Sequence, residues 1–241
     1  MKNIVKIILL GAFLAASVSI ASDTNITYTL GSFATGSPIA ADSNSAMSWV
    51  GVDYTVRGGA LGSFSAPPQA TTYTLNPYST WLSPVANSTW IGMNPQAGPD
   101  GSFNPPYGYY EFQTTFSAVA GLYSGMLDVL ADDTTEVLLN GTQIVTFGSL
   151  GGDGSCADYV PNCTSQDIIN LNNVALLSSN TLTFIVEQVG ENYVNNDDPS
   201  GVDFDATLTS TPEPSSLLLL GTGLVGAAGL LLRRRQHIHN V

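Results

Sequence analysis

Apolar positions along the chain recur mostly at every second residue, and the runs are short. Gly, Pro, Asn and Asp clusters separate them, the pattern of an all-β domain. The predicted strands are 26–30, 47–56, 71–75, 109–116, 125–131, 135–139, 143–147, 181–189 and 202–209. Alternation is clearest in three of them. Tyr110, Phe112 and Phe116 share a face opposite Glu111, Gln113 and Thr115. Leu182, Phe184 and Val186 share another, and Val202, Phe204, Ala206 and Leu208 lie opposite Asp203, Asp205 and Thr207. Period two places each set on one sheet face. The expected fold is a two-sheet antiparallel, jelly-roll-like sandwich. Two long irregular stretches, 67–106 and 148–164, interrupt it, and a short polar stalk is expected after Leu208.

Both ends break the alternation. Lys2 and Lys6 precede an apolar stretch from Ile7 to Ala16, and Ser19-Ile20-Ala21 is a small-x-small site. This predicts a signal peptide over 1–21, cleaved after Ala21. At the other end Pro212-Glu213-Pro214 precedes an apolar run from Ser216 to Leu232, with Arg233, Arg234 and Arg235 directly behind it. At about 1.5 Å per residue that run reaches roughly 25 Å, a short transmembrane helix. The arginines favour a cytoplasmic tail over 236–241, which leaves the domain over 22–210 outside the cell.

The order Pro-Glu-Pro, apolar helix, Arg cluster over 211–235 resembles the PEP-CTERM sorting signal. The resemblance implies export, transient anchoring in the inner membrane, and recognition of Pro212, Glu213, Pro214 and Arg233–Arg235 by an exosortase. Removal of the tail would release the protein or attach it to the cell surface or extracellular matrix.

Composition narrows the chemistry. Trimming both ends leaves 18 of the 19 acidic residues and a single basic one, Arg57, so the domain carries a net charge near −17. Such a surface repels nucleic acid and anionic lipid and attracts divalent cations. Both histidines, His237 and His239, follow the apolar run, and the domain has no lysine. Ser-His-Asp and Cys-His catalysis, His-ligated zinc and Schiff-base chemistry are thereby excluded. Carboxylate pairs remain. Cys156 and Cys163 are the only cysteines. Export predicts that they form a local disulfide, stabilising by roughly 2–3 kcal/mol.

Residues 87–209 resemble galactose-binding-like and PA14-like sandwich modules. The likeness rests on Tyr109–Phe116, on Ala131-Asp132-Asp133 leading into Val137-Leu138-Leu139-Asn140-Gly141, and on the closing segments 180–186 and 199–202. In some PA14-like adhesins an Asp-Asp pair holds a Ca²⁺ that meets sugar hydroxyls, a role the resemblance gives to Asp132 and Asp133. Read locally, adjacent aspartates between two strands also suit a tight turn, and both readings stand. Asn140-Gly141 predicts a type I′ hairpin turn. Asp203 and Asp205 are expected on a solvated outer sheet face beside Asp197 and Asp198, and Asp153, Asp158 and Asp167 cluster near the cysteines. Trp81 and Trp90, near Tyr78 and Tyr107, are either buried anchors or rim aromatics for sugar stacking. Four Asn-x-Ser/Thr sequons, at Asn25, Asn87, Asn140 and Asn162, are read as chance in a bacterial-type protein.

The expected function is a non-catalytic, exosortase-sorted surface or matrix protein that binds extracellular polysaccharide, with Ca²⁺ assisting. A carboxylate-dependent hydrolase or lyase and a purely structural surface protein are the alternatives.

Overall fold

The computed structural model describes residues 25–36, 46–54, 61–77, 81–147, 166–188, 199–211, 221–226 and 228–229. The chain forms two compact units, one over Ile26–Thr211 and one made of the two chain ends. In the second unit residues 221–226 and 228–229 are helical. No helix among the described residues is long and apolar enough to cross a membrane. The predicted signal peptide, the Pro-Glu-Pro and Arg residues of the tail, and Cys156 and Cys163 all lie outside the described residues.

Ile26–Thr211 is built from strands. The first four are β1 (Thr27–Gly31), β2 (Phe33–Ala34), β3 (Ala46–Asp53) and β4 (Tyr73–Thr74). Next come β5 (Ile91–Gly92), β6 (Gly108–Ser117), β7 (Gly121–Asp132) and β8 (Thr134–Leu139). The last four are β9 (Thr142–Val145), β10 (Asp167–Leu176), β11 (Ser179–Gln188) and β12 (Gly201–Ser210). One sheet runs β10-β7-β12-β5-β4, with β1 also paired to β12, and the other runs β2-β3-β6-β11-β8-β9. Every pairing is antiparallel except β2 with β3.

The alternation selects the core. Phe112, Phe184 and Val186 point inward from one sheet, and Leu127, Val129 and Phe204 from the other, all buried. Phe184 and Phe204 stack across the sheets with ring centroids 4.7 Å apart. Such a pair adds about 1 kcal/mol to the stabilisation from buried area. The second aromatic pair is Trp81 on Trp90, 4.2 Å apart, under the long 81–103 connection.

Among the described residues all nine predicted strands form, 71–75 only as the two residues of β4, and three more join them. β2 and β5 are two residues long, below any periodic signal. β10 hides its pattern behind a register shift between Leu171 and Val174, where Asn173 takes φ 53°. The turn at Asn140-Gly141 has φ 52° and 77°, as a type I′ hairpin requires. Among the described residues the segment after Leu208 is strand and not the expected polar stalk. β12 continues to Ser210, and Thr211 donates its N–H to Leu122 O at 2.8 Å.

Candidate functional site

β7 belongs to one sheet and β8 to the other, so the chain changes sheets through Asp133 alone. The expected tight turn is therefore a corner of the sandwich. Strand pairing fixes it on both sides: Gly201 lies opposite Asp132, and Glu187 opposite Thr134. Asp133 N–H donates to Glu187 O at 3.2 Å, and Ser200 Oγ donates to Asp132 O at 3.1 Å. The Asp132–Asp133 peptide bond is cis.

The two carboxylates are buried, Asp132 at 8% exposure and Asp133 at 2%. Trp81 Nε1 donates to Asp132 Oδ2 at 2.5 Å. Its ring is clamped between Trp90 and the backbone at Gly201, where an added Cβ would stand 3.1 Å from the indole. Trp90 in turn donates Nε1–H to Leu82 O at 2.9 Å. Both tryptophans are thus buried anchors. Each uses its one polar atom internally, which is how a buried indole is normally satisfied. Of the aromatics expected near them, Tyr107 is half-buried and Tyr78 lies outside the described residues.

A Ca²⁺ ion asks for six to eight oxygen ligands. Asp132 and Asp133 supply adjacent carboxylates of the right chemistry. Among the described residues no group of three or more His, Cys, Asp or Glu side chains is placed to hold a metal ion. The pair fits as part of such a shell, and the described residues do not complete one. Asp153, Asp158, Asp197 and Asp198 lie outside the described residues.

The expected solvated face at Asp203 is overturned. Asp203 is fully buried, because the 82–90 connection and Ser32 lie over this part of the outer face. Its Oδ1 meets Ser32 Oγ at 2.7 Å, and its Oδ2 accepts from Val85 N at 2.8 Å. Burial raises its pKa, against hydrogen bonds that lower it. Nor is this an edge: β12 pairs with β7 on one side and with β1 and β5 on the other. A second buried carboxylate, Glu187, meets the Tyr109 hydroxyl at 3.3 Å. Burial and that carboxylate push the phenol up to about 12. Sequence reading did not single out Glu187. Its only signal was a charged residue at the end of a strongly apolar strand.

The site thus sits at one end of an acidic β-sandwich, and Thr211, the last described residue of the domain, lies at the other. Residues 210–235 match the PEP-CTERM protein-sorting motif. No curated protein matches the chain. Among solved structures, a GH26-CBM35 β-(1,4)-mannanase of Podospora anserina matches 80% of this chain and 29% of its own, at 15% identity and TM-score 0.31. A β-glucosidase of Kluyveromyces marxianus matches 77% of this chain and 19% of its own, at 10% identity and TM-score 0.32. The chain therefore spans less than a third of either protein.

Proposed function

We infer that this is an exported, exosortase-sorted, non-catalytic surface or matrix protein. Its end away from the tail binds extracellular polysaccharide, with Ca²⁺ held at Asp132 and Asp133. The observation that carries the sorting is the PEP-CTERM motif, which begins within the last strand. Tail recognition then falls on Pro212, Glu213, Pro214 and the arginines Arg233–Arg235, with the apolar run between them anchoring the protein in the inner membrane until the tail is removed. Carbohydrate and Ca²⁺ are supported by two adjacent carboxylates braced at a rigid corner. Sites on rigid elements hold their geometry better than sites on loops.

Sorting is tested in the host by fractionation. The wild-type chain should leave the inner membrane, and a Pro212→Ala/Pro214→Ala variant should stay in it. Equal retention of both would remove the sorting reading. Ca²⁺ is tested by thermal unfolding of the full chain with excess Ca²⁺ and with EDTA. A native-state site must raise the midpoint as its ligand rises. The rise should vanish in Asp133→Asn.

The bond from Trp81 to Asp132 favours a second reading, in which the corner only braces the fold and binds nothing. An unchanged midpoint with Ca²⁺ and EDTA would select it.

A further inference from the structure

The sandwich has two chemically different ends. One is the Asp132–Asp133 corner, joined by strand pairing to Gly108, Gln188 and Gly201. The other gathers the turns after β6, β8 and β10 together with both ends of the domain. Ala118 N donates to Ser178 O at 3.3 Å, Thr181 N to Asn140 Oδ1 at 2.9 Å, and Ser210 N to Ile26 O at 2.7 Å. β7 runs from one end to the other, and its twelve residues cover roughly 36–40 Å.

Charge follows this axis. Every acidic residue on a strand lies in the half of that strand nearer the Asp132–Asp133 corner. Segments 26–36, 112–127, 137–147, 168–186 and 206–211, which include every stretch at the opposite end, contain no Asp, Glu, Lys or Arg. That end exposes the apolar side chains Val119 at 57%, Leu122 at 51% and Leu177 at 55% with no charge among them, whereas the exposed Tyr54 and Ile168 lie in the acidic half. Thr211, the last described residue of the domain, is bonded to Leu122 O there. Only residues 212–215 separate Thr211 from the apolar run that starts at Ser216. Fully extended, they reach no more than about 18 Å.

We propose that the Val119, Leu122 and Leu177 face is a lipid-docking surface. It rests on the bilayer that holds the tail and stands the acidic end, with Asp132 and Asp133, away from the membrane. The inference rests on the reading of the tail as a membrane anchor. Two forces act in the same sense. An uncharged apolar rim partitions into the headgroup boundary, and a negative membrane surface repels the acidic half. The short tether leaves the domain little freedom to present another face.

The test uses the full chain in phosphatidylethanolamine–phosphatidylglycerol vesicles. p-Benzoylphenylalanine is introduced either at Leu177 or at Asp100, an exposed residue beside the far end. Flotation first establishes that the chain is anchored. Irradiation should then give lipid adducts from position 177 and none from position 100. Adding Val119→Asp and Leu122→Asp should abolish the adducts from 177 without loss of flotation. A floating chain with no lipid adduct at 177, with equal adducts at both positions, or with adducts to a second copy of the chain would overturn the docking surface alone. A chain that does not float would overturn the anchor reading and the surface with it.

Discussion

Asp205 on β12 lies directly opposite Asp128 on β7, and the Oδ1 atom of each is buried without a hydrogen-bond partner among the described residues. Opposed residues share a sheet face, so two carboxylates meet where neither is fully solvated. Gly31 on β1 and Ile168 on β10 complete the row and bring no charge. Burial, then the charge of Asp128, push the Asp205 carboxyl up to about 6, and burial also raises Asp128. A carboxyl with a raised folded pKa binds its proton more tightly when folded. Its contribution is present below about pH 4 and is lost as the pH rises through about 6. Asp205 is partly exposed, so solvent screening limits the loss to about 1 kcal/mol. Asp205→Asn should therefore raise the midpoint at pH 7 by about 2–4 °C and leave it unchanged near pH 4. Thermal unfolding between pH 4 and 7 reads this directly, and parallel curves for the two proteins would contradict it.

Trp81 offers a way to separate bracing from packing at the corner. Trp81→Phe keeps an aromatic ring on Trp90 and removes the N–H that reaches Asp132 Oδ2. A buried carboxylate that loses a donor costs about 1–3 kcal/mol. Urea unfolding should show that loss with an unchanged slope. A variant as stable as wild type would mean that the indole bond contributes nothing net.

The sandwich was legible wherever one sheet face is buried and the other is not. Phe112, Phe184 and Phe204 announce their strands because a slip of one residue would expose all of them. The two sheets and the Asn140-Gly141 hairpin were readable for equally local reasons. β10 was not, because its shift at Asn173 breaks the period. The burial of Asp203 was not either. Its cover comes from Ser32 and Val85, 171 and 118 residues away along the chain. Nor did local sequence show that Asp132 and Asp133 join two different sheets, since a sheet change depends on which strands pair and not on the residues between them.

Asn180 ties two turns together at the tail end. Its buried amide accepts from Leu177 N at 2.8 Å and from Asn140 Nδ2 at 2.9 Å, and donates to Leu177 O at 2.7 Å. Asn180→Ala removes all three bonds and should cost about 2–3 kcal/mol. Gly141→Ala tests the neighbouring turn separately. Space is open there, but φ is +77°, so the cost should be only about 1 kcal/mol of backbone strain. Denaturant midpoints of both variants check the ranking, and a costlier Gly141→Ala would reverse it.

Asp203 and Ser32 together indicate where a buried proton sits. Ser32 Oγ is 2.7 Å from Thr89 O, 2.7 Å from Asp203 Oδ1, and accepts Phe204 N–H at 3.1 Å. A hydroxyl has one proton to give, and Thr89 O can only accept. An ionised Asp203 would compete with Thr89 for that proton. A protonated Asp203 Oδ1 would donate to Ser32 while Ser32 donates to Thr89 O, reversing the Ser32-to-Asp203 bond that the ionised acid accepts. Burial, which raises the Asp203 pKa, works in the same direction. Asparagine copies the neutral acid, since its amide can donate to Ser32 while its oxygen accepts from Val85 N. Asp203→Asn should therefore change stability at pH 7 by less than about 1 kcal/mol. Asp203→Ala leaves the Val85 N–H without its partner and removes one of the three contacts of Ser32, and should cost about 2–3 kcal/mol. Urea unfolding of the two variants side by side decides the matter. An Asn variant as damaged as the Ala variant would place the charge, rather than a proton, on Asp203.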